Sequence, residues 1–422
     1  MHYFEYKNGE LYCEEVPLKE IERAFGTPVY IYSAKTLKRH FHVFDSAFLG
    51  IPHIVCYSLK ANSNLAILTL LGKLGSGADV VSGGELAKAL KAGIPPKKIV
   101  FSGVGKTKEE LEQAVKKRIL LINVESESEL ERLIEISERL KTEVNVALRV
   151  NPDIDPKTHP YITTGLKKNK FGISLSQARR LYLATKKSRY LVPCGISSHI
   201  GSQILELGPF LEALRSLLGL AEDLKMDGID IKFLDIGGGL GITYKDELPP
   251  HPTEYGEKIK ELLSGKDYTL ILEPGRVIVG NSGILLTRII YIKRTEEKVF
   301  YIVDAAMNDL IRPTLYNAYH EILPVTGAER DKVKVDIVGP VCESGDFFAQ
   351  ERLISEQFEG SLLAIMSAGA YGFSMSSNYN LRKRPAEVMV SGSEFYLIRK
   401  RETIKDLMRN EIVPEPLKEG RI

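Results

Sequence analysis

The sequence predicts an α/β fold, a (β/α)8 TIM barrel plus a mostly antiparallel carboxyl-terminal β domain of the sandwich or barrel type. Between residues 53 and 272, short apolar runs alternate with stretches of helical periodicity. From about residue 277 the runs become short, β-rich and separated by Gly, Pro, Asn and Asp. An early run at 29–32 follows a turn signal at 26–28. We expect it to join the β domain, because chain termini often meet at one surface.

The barrel prediction depends on the strand candidates. Eight apolar runs have strand length, at 53–57, 78–81, 99–102, 120–124, 144–150, 194–198, 233–236 and 269–272. One helical stretch between them begins at Ser126, where Glu129 completes a capping box. A doubly wound open sheet is the competing fold, but eight β-then-α units favour the barrel. We therefore expect residues 1–34 to join the β domain, 35–276 to form the barrel and 277–422 to form the β domain.

Composition excludes several classes of function. The chain has 422 residues and a formal net charge of only +2, so neither nucleic acid nor a membrane surface is an expected partner. Its four cysteines form no C-x-x-C pair and no metal-ligand spacing occurs, so no metal site is predicted. The amino terminus does not resemble a secretory signal and no apolar run is long enough to span a membrane. A cytoplasmic protein is therefore expected.

Reactive side chains follow the predicted barrel strands. They are Lys60 after the first strand, Asp79 at the second, Arg149 and Asn151 at the fifth, His199 at the sixth, Asp235 with glycines 237–239 at the seventh, and residues 273–276 (EPGR) at the eighth. Taken singly, each has an ordinary explanation as a solvated lysine, a packed histidine or a tight loop. Because barrel enzymes build their sites at the carboxyl ends of the strands, the joint placement predicts one active site.

Two apparent nucleotide-binding signatures fail on spacing. Residues 103–107 resemble the end of a Walker A loop, but Val100 occupies the position of its required first glycine. Residues 237–241 resemble a dinucleotide fingerprint, but Ile242 replaces the third glycine. Neither segment supports a nucleotide cofactor.

A different cofactor fits the strand-end residues. Lysine amines form Schiff bases, and glycine-rich backbone in the last barrel loops commonly binds phosphate. Both features fit pyridoxal 5'-phosphate, an aldehyde that carries a phosphate. A Schiff-base aldolase is the alternative, although it does not require the second β domain.

Six segments resemble, in order, the diaminopimelate decarboxylase family of barrel-type pyridoxal-phosphate enzymes, whose fold is like that of alanine racemase. They are 57–62 (YSLKAN), 198–203 (SHIGSQ), 237–239 (GGG), 273–276 (EPGR), 342–346 (CESGD) and 370–380 (AYGFSMSSNYN). The resemblance covers residues 20 to 400, with the last two segments as its more specific parts.

The resemblance implies a set of cofactor ligands. Lys60 would bind pyridoxal phosphate as a Schiff base, and Glu273 would lie beside the ring nitrogen and keep it protonated. His199 would stack on the ring face. The other implied ligands are Asp79, Ser202, Gly239, Gly275, Arg276 and Tyr371.

The resemblance also implies a reaction, the decarboxylation of meso-2,6-diaminopimelate to L-lysine and carbon dioxide at the end of lysine biosynthesis. Cys342 would return a proton to Cα and so join Lys60 and His199 as a catalytic residue. A homodimer is implied, in which Cys342 and Glu343 come from the partner subunit. The implied ligands of the substrate are Arg276, Arg312, Tyr316, Glu343 and Tyr371.

Three other functions stay open at this point. They are a sister decarboxylase acting on ornithine, arginine or carboxynorspermidine, a racemase on the same scaffold, and a non-catalytic homologue that only binds the cofactor. Glu273 disfavours the racemase, which places a cation at the ring nitrogen, and Lys60 with Cys342 disfavours the non-catalytic homologue. Residues 151–170, rich in Pro, Thr and Lys, are predicted to form a long flap.

Overall fold

A computed structural model describes residues 2–155, 164–165 and 169–421. The chain divides into two compact units. The first comprises residues 1–2, Ala34–Gly283 and Gly369–Ser374, and the second comprises Tyr3–Ser33, Ile284–Ala368 and Met375–Ile422.

The amino-terminal segment of the second unit begins with a small antiparallel sheet. Its strands are β1 (Phe4–Lys7), β2 (Glu10–Cys13) and β3 (Val16–Pro17), which pair in that order. Helix α1 (Leu18–Phe25) follows, and Gly26 ends it with a φ of 66°. Strand β4 (Val29–Ser33) is buried along its whole length.

The first unit is a closed parallel barrel. Its strands are β5 (His53–Ser58), β6 (Gly77–Val80), β7 (Ile99–Phe101), β8 (Leu121–Val124), β9 (Val144–Asn151), β11 (Leu191–Ser197), β12 (Phe233–Asp235) and β13 (Thr269–Leu272), with the short β10 (Ile173–Ser174) beside β9. Each of the eight strands pairs in parallel with its neighbours, and the pairing of β13 with β5 completes the ring. All eight predicted barrel strands are confirmed.

Helices alternate with these strands. They are α2 (Ala34–Ser46), α3 (Leu65–Lys73), α4 (Gly83–Lys91), α5 (Lys108–Lys117), α6 (Glu127–Leu140), α7 (Leu175–Lys187), α8 (Gly208–Met226), α9 (Pro252–Leu263) and the short α10 (Arg276–Val279). Polar residues cap several amino termini, as where Thr107 and Glu110 form a reciprocal capping box on α5. On α6 the predicted box forms only in part. Ser126 accepts from the Glu129 amide, but the Glu129 carboxylate accepts from Glu125 N and pairs with Lys106.

Apolar side chains fill the amino-terminal part of the barrel. Every second residue of a barrel strand points inward, and the buried cluster there consists of Cys56, Val100, Leu120, Leu121, Ala147, Cys194 and Ile271. Polar residues take over further along the same strands, which leaves the carboxyl ends for the site described below.

The second unit is a mixed, mostly antiparallel sheet. Its further strands are β14 (Gly283–Arg294), β15 (Val299–Val303), β16 (Ile322–Pro324), β17 (Lys332–Val338), β18 (Phe347–Ser355), β19 (Leu362–Ile365), β20 (Ala386–Ser391) and β21 (Glu394–Arg399). Strand β4 pairs in parallel with β20, which confirms that the amino-terminal strand joins the β domain. Three short helices, α11 (Arg312–Tyr316), α12 (Ile404–Leu407) and α13 (Glu415–Lys418), complete the unit.

The predicted fold class is confirmed, whereas other expectations stay predictions. The domain limits at residues 34 and 276 stay predictions. The flap predicted at 151–170 falls largely on residues 156–163 and 166–168, which lie outside the described part of the chain. Within the described part, no helix has both the length and the apolar character needed to cross a bilayer.

Gly256 tests the packing of α9 against the end of α2. A Cβ atom on Gly256 would overlap the carbonyl oxygen of Ala47, so Gly256→Ala should destabilise the protein by about 1–3 kcal/mol. Gly219 in α8 has open space around the same atom, so Gly219→Ala should stabilise by about 0.5–1 kcal/mol. Thermal unfolding of both variants measures this, and a stabilising Gly256→Ala would contradict the packing.

Candidate active site

A cavity of the first unit opens at the carboxyl ends of β5, β11, β12 and β13. Its empty space, including the open mouth, is about 470 Å³. Eight of the nine residues predicted to bind a cofactor line it: Lys60, His199, Ser202, Gly239, Glu273, Gly275, Arg276 and Tyr371. The ninth, Asp79, is fully buried and contacts Lys60. Residues spread over more than 300 positions of sequence therefore meet at one place.

Lys60 is held by buried oxygen atoms. Its Nζ lies 3.0 Å from Asp79 Oδ2, and the Ser58 hydroxyl donates to the same oxygen at 2.6 Å. Burial is the largest single effect on the Lys60 pKa and lowers it, but the charge and hydrogen bond of Asp79, with the other acidic groups of the pocket, outweigh burial and raise the pKa. Lys60 is therefore a charged ammonium in the cofactor-free pocket.

Glu273 brings a second carboxyl group into the cavity. It follows β13, is buried, and accepts a hydrogen bond from Ser102 Oγ at 3.1 Å. Burial, and then the neighbouring charges of Asp235 and Asp79, raise the pKa of Glu273 well above its usual range. The pocket therefore favours the protonated form of this carboxyl group.

His199 is a neutral imidazole in a defined tautomer. The Gly238 amide donates to His199 Nδ1 at 3.2 Å, which places the ring proton on Nε2. Burial, and then the positive charges of Lys60 and Arg149, lower the pKa of His199 well below its usual value. Arg149 is in turn paired with Glu125 at 2.8 Å.

The glycine triplet brings backbone close to the cavity. Gly237 and Gly239 have φ angles of 67° and 112°, a region that favours glycine. A Cβ on Gly237 would lie 2.7 Å from His199 Nδ1, and one on Gly239 would lie 2.5 Å from the Gly201 carbonyl oxygen. Neither position accommodates a side chain, so the loop exposes its backbone to whatever the cavity binds.

Arg276 is the cation beside this loop. Its guanidinium donates to the Tyr244 hydroxyl at 2.6 Å and to Ser202 Oγ at 3.0 Å, and lies 4.8 Å from the Tyr371 ring centroid. Tyr371 has a φ of 56°, a strained conformation for a bulky residue that costs on the order of 1 kcal/mol or more. Its amide donates to the Ala61 carbonyl at 2.8 Å, which ties Tyr371 to the loop of Lys60.

The remaining predicted residues belong to the second unit. Arg312 and Tyr316 are the first and last residues of α11. Arg312 is buried, and its Nη1 lies 2.7 Å from His320 Nε2 while His320 Nδ1 lies 2.7 Å from the Met366 carbonyl oxygen. Since Nδ1 donates to that carbonyl, Nε2 is an acceptor that fixes the Arg312 guanidinium.

Cys342 and Glu343 lie in the loop after β17, also in the second unit. Cys342 is exposed, whereas Cys13, Cys56 and Cys194 are buried. The Asp346 carboxylate shapes the loop by accepting from the Val341 and Met307 amides, both at 2.7 Å. The loop thus presents a thiol and a carboxylate to solvent on a braced backbone.

Comparison with known proteins identifies the family. Residues 34–280 match the family model for the pyridoxal binding domain of pyridoxal-dependent decarboxylases. Diaminopimelate decarboxylases from Aquifex aeolicus and Vibrio cholerae are 53% and 50% identical to this chain. The alignments cover 95% of both chains in the first case, and 98% of this chain and 100% of the relative in the second. The crystal structure of diaminopimelate decarboxylase from M. jannaschii in co-complex with L-lysine superposes with a TM-score of 0.93 at 41% identity, covering 98% of both chains.

The chain belongs to the diaminopimelate decarboxylase family. It is therefore a carboxy-lyase that depends on pyridoxal phosphate, as the resemblance implied. The cavity fits that cofactor, because it combines an amine, a carboxyl group, a neutral imidazole, a cation and a loop in which a Cβ would collide. Membership of this family explains the reactive residues at the barrel rim, so the alternative of a Schiff-base aldolase is not needed.

Sequence reasoning missed several residues that the cavity depends on. Ser58 contacts Asp79, the partner of Lys60, and Tyr244 contacts Arg276. Ser102 and Asn123 lie behind Glu273. The available signal was a polar residue within or beside an apolar strand, as at Asn123 in residues 121–124 (LINV). Ser58 directly precedes the Leu59-Lys60 pair and gave no separate signal.

The charge state of His199 can be tested by nuclear magnetic resonance. Because its pKa is lowered, the ring should stay neutral, with its proton on Nε2, on acidification from about pH 8 to about pH 5. Selective ¹⁵N-histidine labelling reports both ring nitrogens, and His199→Asn assigns the signals. An imidazolium pattern for His199 above about pH 6 would contradict the burial argument.

Proposed function

We propose that this chain converts meso-2,6-diaminopimelate to L-lysine and carbon dioxide, with pyridoxal phosphate bound at the carboxyl rim of the barrel. The observation that carries the proposal is the meeting of Lys60, Glu273 and His199 in one cavity of the first unit, together with 50% or greater identity to two diaminopimelate decarboxylases. The cytoplasmic location expected from the sequence stays a prediction.

Each cofactor-facing residue has a proposed task. Lys60 is proposed to form the covalent link, and Asp79 is proposed to hold its amine in place through the 3.0 Å contact. Ser202, Arg276 and the backbone of the glycine loop bind the phosphate. When bound, pyridoxal phosphate supplies an electron sink for the bond that breaks at Cα.

Glu273 and His199 set the electronic environment. Glu273 holds a proton at its carboxyl group and is proposed to lie beside the ring nitrogen, where an acid keeps that nitrogen positively charged. His199 is neutral and carries no charge that would repel a cationic ring. Both states favour removal of a carboxylate, since electrons flow toward a protonated ring.

Substrate selection is proposed to depend on the second unit. Diaminopimelate has a distal carboxylate and a distal ammonium, which need a fixed cation and an anion. We assign Arg312, held by His320, and Tyr316 to the carboxylate, and Glu343 to the ammonium. Arg276 and Tyr371 are proposed to contact the substrate from the first unit.

Cys342 is proposed as the acid that returns a proton to Cα. Its exposure in a single chain is what a residue that acts in a neighbouring subunit requires. We therefore infer a homodimer in which Cys342 and Glu343 complete the site of the partner. The sister decarboxylases considered from the sequence act on substrates that lack one or both groups of the distal amino-acid end, so they would not need this set of ligands.

The proposed reaction is tested by incubating the protein with meso-diaminopimelate and pyridoxal phosphate. L-lysine and carbon dioxide should form in equal amounts. Lys60→Ala should abolish both the product and the visible absorbance of bound cofactor, whereas Lys98→Ala, whose amine contacts only the Gly75 carbonyl among the described residues, should retain them. Formation of a different amine from ornithine or arginine, with no lysine, would overturn the substrate assignment.

Cys342→Ala separates proton return from cofactor binding. We expect unchanged cofactor absorbance and a loss of turnover of about 10²–10⁴-fold, the usual contribution of a general acid. Cys13→Ala, at a buried cysteine of the same unit, should leave turnover nearly unchanged. Sedimentation of wild type and variant confirms that the assembly is the same, and full turnover by Cys342→Ala would remove the thiol as the acid.

A further inference from the structure

Four side chains from four barrel strands form a buried network behind the cavity, which we call the strand-end network. Its members are Ser102 after β7, Asn123 on β8, Asp235 at the end of β12 and Glu273 after β13. Only Glu273 lines the cavity. Ser102, Asn123 and Asp235 are 5%, 0% and 0% exposed, so water cannot compensate for any bond that they fail to make.

Asn123 is the central donor of this network. Its Nδ2 donates to Ser102 Oγ at 3.0 Å and to Asp235 Oδ2 at 2.7 Å. Within the described chain its Oδ1 has no hydrogen-bond partner. The opposite orientation of the amide would bring an oxygen within 2.7 Å of a carboxylate oxygen, which is repulsive. Asn123 therefore acts through its two N–H groups.

The hydrogen bonds of Asn123 determine which neighbouring groups act as donors and which as acceptors. Because Ser102 Oγ already accepts from Asn123, its own proton is directed to Glu273 Oε1 at 3.1 Å. Asp235 accepts from Asn123 at Oδ2 and from the Gly237 amide at Oδ1, at 2.9 Å, with Ser197 Oγ 3.3 Å from Oδ2. Asp235 thus receives donors on both oxygens, whereas Glu273 receives one hydroxyl.

Donors stabilise the ionised form of a carboxyl group, so the two carboxyls are unequal. We propose that Asn123 is a positioning residue for Glu273: its amide helps to keep Asp235 ionised more strongly than the single Ser102 hydroxyl favours ionised Glu273, so that the single proton of the carboxyl pair resides on Glu273, the member of the pair that lines the cavity. This inference rests on the proposed placement of Glu273 beside the ring nitrogen.

The charges around the pair agree with this assignment. Burial raises the pKa of Asp235, but the bonds from Gly237 and Asn123 oppose it. For Glu273, burial, the charges of Asp235 and Asp79 and a hydrogen bond to Asp235 all raise the pKa, while the charge of Lys60 and the Ser102 hydroxyl oppose them. Cys56 on β5 is packed beside the same groups, and it is a neutral thiol because burial, and then the neighbouring acidic groups, raise its pKa.

The proton balance follows from this arrangement. If pyridoxal phosphate bound with its ring nitrogen unprotonated, Glu273 would donate its carboxyl proton to that nitrogen, which would leave Glu273 ionised and Asp235 unchanged. Glu273 and Asp235 would then both carry negative charge near one cation. The negative charge of Asp235 therefore raises the pH at which the ring nitrogen loses its proton, although Asp235 does not line the cavity.

The first experiment locates the proton in the full-length, cofactor-free protein by infrared spectroscopy. The spectra are recorded above the pKa of about 7 that Glu85 and Asp309 each have, so that those two groups are ionised. The wild type minus Glu273→Gln difference should contain a protonated-carboxyl band that shifts on ¹³C-glutamate labelling. In Asn123→Ala that glutamate band should be lost. The difference spectrum between Asn123→Ala and the double variant Asn123→Ala/Asp235→Asn should instead contain a protonated-carboxyl band that shifts on ¹³C-aspartate labelling.

The second experiment uses the holoenzyme and ¹⁵N-labelled pyridoxal phosphate. The ring-nitrogen chemical shift should show deprotonation at a pH lower by about one unit or more in Asn123→Ala than in wild type. Asp235→Asn, which keeps the shape of the side chain, should give the same shift if Asn123→Ala folds poorly. Asn145→Ala is the matched control, because that amide lies on β9 and donates to the Leu120 carbonyl at 3.0 Å, and it should change neither measurement.

The outcomes separate this inference from the proposed function. A glutamate band that persists in Asn123→Ala, or a ring nitrogen that titrates as in wild type in both Asn123→Ala and Asp235→Asn, would overturn the role of Asn123 while leaving the decarboxylase intact. A ring nitrogen unaffected by Glu273→Gln, with no lysine formed by wild type, would instead refute the proposed site.

Discussion

The structure depends on one constraint, the pairing of a half-buried lysine ammonium with a fully buried carboxylate at the rim of a closed parallel barrel. An uncompensated buried charge costs several kcal/mol, so the fully buried Asp79 requires Lys60 at 3.0 Å and the Ser58 hydroxyl at 2.6 Å. Glu273 adds a further acid to the same space and relieves its repulsion by carrying a proton. Ring closure makes this arrangement possible, because it brings strands distant in sequence to one rim.

Apolar and polar side chains occupy different levels of the barrel. Apolar side chains such as Val100, Leu121 and Ile271 fill the barrel toward its amino-terminal end, while Asn123 and Asp235 occupy the strands nearer the site. The strand that carries a packing residue therefore also carries a polar residue a few positions later. This layered order explains why residues that never touch the cofactor site can still set the protonation of one that does.

Much of this was predictable, and the exceptions have physical causes. The strand β13 (Thr269–Leu272) matches its prediction, and the other barrel strands differ at their ends by one to three residues, since apolar runs reveal burial better than ladder ends. Lys60, His199 and Glu273 were found because strand ends converge in a barrel. Ser102 and Asn123 were missed because their role comes from contacts between strands. The positive φ of Tyr371 was also missed, because local sequence does not encode strain that tertiary packing imposes.

The central claim is that Lys60 is the residue that binds the cofactor covalently at the barrel rim. Reduction of the holoenzyme with borohydride fixes pyridoxal phosphate to the lysine that holds it, and peptide mass spectrometry then locates the label. The structure predicts a single pyridoxyl group on the peptide that contains Lys60. Label on another lysine, such as the buried Lys106, or a protein that retains no label at all, would contradict the account.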